Sequence, residues 1–343
     1  MLILSAGKGG SGKTTVTAQL LSTHVRKGGH AVGLDCDTNQ ALHRQFAGAA
    51  EPAPLIEAIE EHKQTLYGTN NYIDDPLGAP KSTPPSPSSP LFHGASPRTN
   101  PLVAAAHAVQ DNGVVSMRTG ELPPEEQLNH CNHFLIGAGL RFGLHTVTAT
   151  DELIVADMMA GNDNATSGMP SIADGAFVVV EPTAESVDAY RQITSAYEQL
   201  SVPNIVVVAN QVEDDDDLAF ITDRVHHHVA CVIPRDKQFF RSLSDGEHPE
   251  LPAHIAGELD KLHEVVSGWT PEAPEAKYRR AVTFHNSNYP DATIPPQLAE
   301  SAGKVYGARV RRLRGTTTRQ PRTAPSRMLG HESRKTPAPG PKR

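Results

Sequence analysis

The sequence predicts an α/β chain organised as a doubly wound, mostly parallel sheet, and three observations carry that prediction. Short apolar runs of strand type alternate with helical patterns, the order expected of a parallel sheet covered on both faces. A glycine-rich loop joins the first apolar run to the first helical pattern. Aspartates close two later runs, and open α/β sheets bind ligands at the carboxyl ends of their strands.

Taken in order, the first run is Leu2-Ile3-Leu4 and the helical pattern after the loop is Val16, Leu20, Leu21, Val25. Between them, residues 7–15 read Gly-Lys-Gly-Gly-Ser-Gly-Lys-Thr-Thr. Gly7, Gly12, Lys13 and Thr14 fit the phosphate-loop pattern of Gly, four residues, Gly, Lys, Ser/Thr, in the strand–loop–helix context the motif requires. Gly7, Gly9, Gly10 and Gly12 let the backbone close on a phosphate chain. Successive N–H groups, that of Ser11 among them, then form an anion nest at a helix N-terminus. Lys13 is expected on the β- and γ-phosphates, the Thr14 hydroxyl on Mg²⁺ and Thr15 on the α-phosphate. Lys8 is a second lysine for which the loop has no intramolecular need.

The second run, Ala31-Val32-Gly33-Leu34, continues into Asp35-Cys36-Asp37-Thr38-Asn39. Alternation along a strand puts Asp35 and Asp37 on one face and turns Cys36, read as a structural thiol, away. Two carboxylates beside a phosphate loop suit Mg²⁺ and its waters. The third run, Leu153-Ile154-Val155-Ala156-Asp157, leads into Met158-Met159-Ala160-Gly161-Asn162. Two more buried strands are read at Ala176–Val180 and Ile205–Asn210, with a helix from about Ser186 between them, and a short one at Cys231–Pro234.

The loop resembles that of the deviant Walker A P-loop ATPases, the MinD/ParA/CooC group of nucleotide-binding domains. Their signature K-G-G-x-G-K-[ST] stands here as Lys8 to Thr14. The resemblance implies an ATP sandwiched between two subunits, with Lys8 crossing to the partner's nucleotide. Asp35-Cys36-Asp37-Thr38-Asn39 is similar to the family's D-x-D-x-N switch, which implies that Asp37 orients the attacking water and Asp35 supports the metal shell. The segment from Asp157 is similar to hydrophobic-D-x-x-A-G, placing Asp157 near Mg²⁺ and the Gly161 N–H on the γ-phosphate. Asn210 matches the family residue that contacts adenine, which favours ATP over GTP, although Gln211 stands where relatives often carry Lys or Arg. Met159 replaces the Glu of CooC-like members, and the segment lacks the cysteine that binds a cluster in the nitrogenase iron protein.

With 343 residues the chain is long enough for one or two domains with a buried core. No apolar run approaches the roughly eighteen residues of a membrane span, and the first strand starts at residue 2, so neither a transmembrane segment nor a signal peptide is expected. Three spaced cysteines make no disulfide framework, and a cytoplasmic location is expected.

The ATPase domain is expected over 1–268. It carries an insertion over 48–128 that is helical from Pro54 to about Leu66 and Pro/Ser-rich, hence partly disordered, over 81–101. Residues 269–343 are expected to form an extended, disordered, basic tail. From Ser301 onward twelve Lys/Arg face one Glu. The chain's net charge is −8 and this segment holds +11, so residues 1–300 carry −19. Such a tail suits non-specific DNA through counterion release, or a merely solubilising role. Val305, Tyr306, Val310 and Leu313 could form a short amphipathic turn at its start, too small and too arginine-rich to resemble a membrane helix.

Three weaker clusters remain. His130, Cys131 and His133 could hold a metal if a two-fold dimer joined two copies, although a strand entrance is the simpler reading. His226-His227-His228 reads as a helix C-terminus, and Asp214 to Asp217 as an N-cap and first turn. Together the motifs predict a homodimeric, slowly hydrolysing Mg·ATP switch, ParA/MinD-like in partition or positioning, with a protein partner that stimulates hydrolysis. A CooC-like maturation ATPase and a nucleotide-dependent scaffold with negligible hydrolysis are the alternatives.

Overall fold

The computed structural model describes residues 1–317 apart from 49, 73–74, 76, 122–132, 162 and 246. The strands are β1 (Leu2–Gly7), β2 (His30–Cys36), β3 (Phe92–His93), β4 (His107–Val109), β5 (Val115–Arg118), β6 (Thr146–Val147), β7 (Glu152–Met158), β8 (Gly175–Val180), β9 (Ile205–Val212) and β10 (Val229–Pro234). The first six helices are α1 (Lys13–Arg26), α2 (Leu55–Glu61), α3 (Lys63–Tyr67), α4 (Pro101–Ala106), α5 (His133–His145) and α6 (Asp163–Thr166). They are followed by α7 (Ala184–Gln199), α8 (Asp215–Thr222), α9 (Lys237–Ser244), α10 (Ala253–Ser267), α11 (Pro274–Asn288) and α12 (Pro296–Thr317).

Eight strands form one sheet in the order β10-β9-β8-β1-β7-β2-β5-β4, parallel except for the antiparallel β4–β5 edge. The apolar runs are continuous because both faces are covered. Leu4 and Ala6 of β1 join Val178 and Val180 in a core that contains Tyr190 and Ile193 of α7. Ile3 joins Val155, Phe177 and Val179 in a second core with Leu20 and Leu21 of α1 and Leu259 and Leu262 of α10. The aspartate run behaves as expected, with the Asp214 side chain capping α8 by accepting the Asp217 N–H at 2.9 Å. The three histidines do not end a helix. They lie in the loop between α8 and β10.

The segment over 48–128 departs from the expected insertion. It contributes β5, which pairs in parallel with β2, and β4, so it completes the sheet edge. The Pro/Ser-rich stretch is also packed rather than unable to bury itself, with Ser82, Thr83, Ser86, Ser89 and Asn100 all buried. Prolines bring no N–H but keep their carbonyls, and here distant side chains donate to them. Asn70 Nδ2 donates to the Pro84 carbonyl at 3.2 Å, Tyr278 to that of Pro85 at 3.0 Å and Arg309 to that of Pro87 at 2.9 Å.

Two of those donors come from the region expected to be an extended tail. Over 274–317 it forms α11 and α12, whose Tyr278, Val282 and Ala302 build a third buried cluster with Ile294 of the connection between them. Residues 318–343 lie outside the described residues. Arg280 fastens α11 to the body by donating to the Pro170 carbonyl at 2.9 Å, the Ala173 carbonyl at 2.7 Å and Glu272 at 2.9 Å. Arg280→Ala leaves two carbonyls and a carboxylate without their donor and is expected to cost about 3 kcal/mol, read as a lower urea midpoint. An unchanged midpoint would mean that the Arg280 bonds add nothing to the stability of the body.

Candidate functional site

The loop after β1 closes on itself before α1 begins. The Ser11 N–H donates to the Lys8 carbonyl at 3.3 Å and the Val16 N–H to the Gly12 carbonyl at 2.9 Å. Two positions demand glycine. Gly7 has φ +150°, and a Cβ there would sit 2.6 Å from the Val179 carbonyl oxygen. Gly12, the residue before α1, has φ +89°, and its Cβ would meet Asn210 Nδ2 at 2.5 Å. Gly9 and Gly10 lie exposed on the outside of the turn. α1 has no side-chain cap and no acidic residue in its first turn, so its positive end faces the loop unneutralised.

The two lysines differ. Lys13 is buried, and its Nζ donates to the Lys8 carbonyl at 3.1 Å. Lys8 is half-buried, and its ammonium makes no hydrogen bond or ion pair among the described residues.

The carboxylates gather beside the loop because of strand register. Asp35 of β2 is directly opposite Asp157 of β7, and Asp157 is opposite Ser5 of β1. Both aspartates are 1% exposed. Burial, then the neighbouring Asp157, pushes the Asp35 carboxyl up to about 8. Burial raises Asp157 to about 6, opposed by the Thr14 hydroxyl and the Lys13 ammonium. Thr17 also donates to Asp157, at 3.4 Å, a contact that sequence reasoning missed.

Asp35 shapes the next turn, accepting the Asp37 N–H at 3.1 Å and the Leu42 N–H at 2.8 Å. Asp37 is half-exposed, and its Oδ1 accepts the Asn39 N–H at 2.9 Å and the Asn39 amide at 3.1 Å. Asp35 and Asp37 therefore point at different tasks. Gly161, at φ +78°, donates its N–H to the Gly7 carbonyl at 3.4 Å.

A cleft of about 470 Å³ opens beside the loop, lined by Gly12, Thr15, Asn210, Arg235, Lys237 and Arg241 among others. Asn210 braces the loop by donating Nδ2 to the Ser11 carbonyl at 2.7 Å, while its buried Oδ1 has no hydrogen-bond partner among the described residues. Gln211, in the left-handed region at φ +60°, donates to Glu181 at 2.7 Å. Thr15 is turned toward Gln45, donating to its amide oxygen at 3.2 Å. Gln45, Arg235, Lys237 and Arg241 were not singled out from the sequence. The signal available for the last three was their position, directly after the short run ending at Pro234.

The structure thus brings Lys8, Ser11, Lys13, Thr14, Asp35, Asp37, Asp157, Gly161 and Asn210 to the carboxyl ends of β1, β2, β7 and β9. His130 and Cys131 lie outside the described residues, and so does the side chain of His133. The donor set fits a polyphosphate with a hard divalent cation: glycine-made space, an unneutralised helix end, two lysines, a hydroxyl and a buried carboxylate pair disfavoured as a bare dianion.

The family model described as the CobQ/CobB/MinD/ParA nucleotide binding domain matches residues 2–249. An uncharacterized ATP-binding protein of Methanocaldococcus jannaschii is 24% identical over 269 residues, covering 76% of this chain and 96% of that protein. The carbon monoxide dehydrogenase accessory protein CooC of Rhodospirillum rubrum is 24% identical over 225 residues, covering 65% and 79%. Among solved structures, the septum site-determining protein MinD of Pyrococcus horikoshii, complexed with Mg-ADP, superposes with a TM-score of 0.51 at 18% identity, covering 78% and 95%.

Proposed function

Because the chain belongs to the CobQ/CobB/MinD/ParA nucleotide-binding domain family, we propose that it is a slowly hydrolysing, dimeric Mg·ATP switch of the ParA/MinD kind. The observation that carries this reading is the unequal pair of lysines. Lys13 is committed to its own loop, whereas Lys8 stands half-buried with no bonded partner among the described residues. A cation beside a phosphate loop that no hydrogen bond holds, with only the nearby charge of Glu181 opposite it, suits a second subunit's nucleotide.

The chain's residues take distinct parts in this scheme. The loop N–H groups and the end of α1 hold the phosphates, and the Lys13 ammonium offsets charge that develops as the γ-phosphoryl leaves. Asp37 Oδ1 is occupied by Asn39, which leaves Oδ2 to accept a hydrogen bond from the attacking water and align it. Gly161 would exchange its Gly7 carbonyl for a γ-phosphate oxygen, so that nucleotide state becomes loop position. Thr14 and Asp157 would hold Mg²⁺, which would supply positive charge to offset that of the phosphates. The cleft beside Asn210 is the place for the base.

Gel filtration with ATP, with ADP and without nucleotide tests the reading. ATP is expected to shift the wild type to a dimer and to leave Lys8→Ala monomeric while ATP still binds. A dimer of Lys8→Ala in ATP would remove that lysine from the interface.

The similarity to CooC favours a second role, ATP-driven maturation of a partner enzyme. DNA separates the two. A partition or positioning switch is expected to hydrolyse faster on DNA, with a steep loss as salt rises. Part of the basic end is already engaged, since Arg311 pairs with Glu275 at 2.7 Å and Arg309 bonds Pro87. The truncation that tests DNA binding therefore removes residues 318–343 and leaves α12 in place. A chain that binds ATP and dimerises without turnover would be the scaffold instead.

A further inference from the structure

We propose that Glu198, His226 and His227 form a binding site for a divalent transition-metal ion of the zinc class. The site lies on the edge of the sheet away from the phosphate loop. β10 runs parallel to β9, β9 to β8 and β8 to β1. The start of β10 therefore lies opposite the end of β1 that carries Gly7. Glu198 is in the last turn of α7, and the two histidines immediately precede β10.

One ligand atom from each residue falls within a common 4.8 Å. His226 Nε2 is 2.8 Å and His227 Nε2 is 3.4 Å from the same Glu198 oxygen. Tetrahedral zinc with bonds of about 2.1 Å separates its ligand atoms by about 3.4 Å, close to the two distances to the Glu198 oxygen. Adjacent residues of a strand could not converge in this way. Residues 226 and 227 lie in a loop, and their rings lie side by side, tilted by 39° with centroids 4.2 Å apart.

A buried tyrosine organises the pair. The Tyr190 hydroxyl accepts the backbone N–H of His226 at 3.0 Å and of His227 at 3.2 Å. It also lies 3.2 Å from His226 Nδ1 and 2.8 Å from His227 Nδ1. With both Nδ1 atoms turned to one oxygen, both Nε2 atoms are turned out toward Glu198. Since two backbone N–H groups occupy its lone pairs, the hydroxyl can only donate, to one Nδ1 at a time, so it fixes the direction of the rings rather than their tautomer. Two imidazoles and one carboxylate suit zinc-type ions better than Mg²⁺ or Ca²⁺. His226 and Glu198 are exposed, which leaves a coordination position for water or for a ligand from another molecule. Binding displaces the proton that His226 Nε2 shares with Glu198. The ion would tie the end of α7 to the approach of β10.

The test uses the full chain, freed of metal by chelator and kept in millimolar Mg²⁺ so that oxygen sites are filled. ZnCl₂ is titrated by calorimetry into wild type, Glu198→Gln and the double variant His226→Gln/His227→Gln. The wild type is expected to bind one more Zn²⁺ per chain than the double variant, and Glu198→Gln to bind it at least tenfold more weakly. Co²⁺ is expected to give a visible absorption band that the double variant lacks. Zn²⁺ is expected to raise the melting temperature of the wild type but not that of the double variant, whose metal-free melt should match the wild type and report an intact fold. Equal stoichiometry and affinity in wild type and double variant would overturn the site.

Discussion

Lys13→Gln is expected to reduce single-turnover ATP hydrolysis by about a hundred- to a thousandfold, the usual loss when one preorganised donor is taken from a transition state. The side chain is 6% exposed and its Nζ is held 3.1 Å from the Lys8 carbonyl, so its charge is already in place with little left to reorganise. Glutamine keeps amide donors and much of the length but removes the charge, which isolates the electrostatic contribution. The same charge lowers the Asp157 carboxyl against the effect of burial, so the variant also makes the carboxylate pair harder to ionise. ATP affinity is expected to fall by about tenfold and the chemical step by more, because the interaction strengthens as charge develops on the leaving phosphates. Lys8→Ala should behave differently, keeping monomer affinity and losing the dimer. Wild-type single-turnover rates in Lys13→Gln would take this lysine out of the chemistry.

The phosphate loop and the Asp35 turn were legible because each is largely local. The residues that fix their geometry lie within a few positions of one another, as in the Gly7–Lys13 loop or the Asp35–Leu42 turn. What was not legible depends on partners far along the chain. The Pro/Ser stretch looks unable to pack until Tyr278 and Arg309 arrive to bond its carbonyls. Helix α12 was legible only as a short amphipathic turn around Tyr306 and Val310, because the rest of its buried face uses Ala299, Ala302, Gly303 and Gly307. Small residues allow close helix contact but weaken the hydrophobic periodicity there is to read. β5 is only Val115–Arg118, and its strand character comes from β2 alongside it. Asn210 was found by position, but its bond to the Ser11 carbonyl could be seen only once β9 and the loop were side by side. The two histidines facing Glu198 were missed for a related reason, since regular alternation does not apply in a loop.

Without a divalent cation, the chain is expected to lose stability as pH rises from about 4 to about 8, and Asp35→Asn is expected to flatten that fall. The Asp35 carboxyl is raised from 3.8 to about 8 in the folded chain, mainly by burial and next by Asp157. Between those values the folded state holds a proton that the unfolded chain has released, so stability decreases with pH. The stabilisation is complete below pH 4 and gone above pH 8, with Asp157, raised to about 6, adding to the slope in the lower part of the window. One pKa unit corresponds to about 1.4 kcal/mol, so the full change is on the order of a few kcal/mol for this coupled pair. Urea midpoints measured across pH in chelator give the slope. Asparagine keeps one acceptor for the N–H groups of Asp37 and Leu42 but turns its amide nitrogen toward the other, so the variant starts less stable even at pH 5. The readout is therefore the slope, not the level. Asp216→Asn, on the exposed first turn of α8, serves as the control and should leave the slope unchanged. Mg²⁺ with ADP is expected to flatten the wild-type curve as well, because a cation beside the two carboxylates favours their ionised forms. Parallel curves for wild type and Asp35→Asn would mean that Asp35 ionises freely despite its burial. The register that sets Asp35 against Asp157 would then carry no electrostatic cost, and the fold would have no preference for a cation at the ends of β2 and β7.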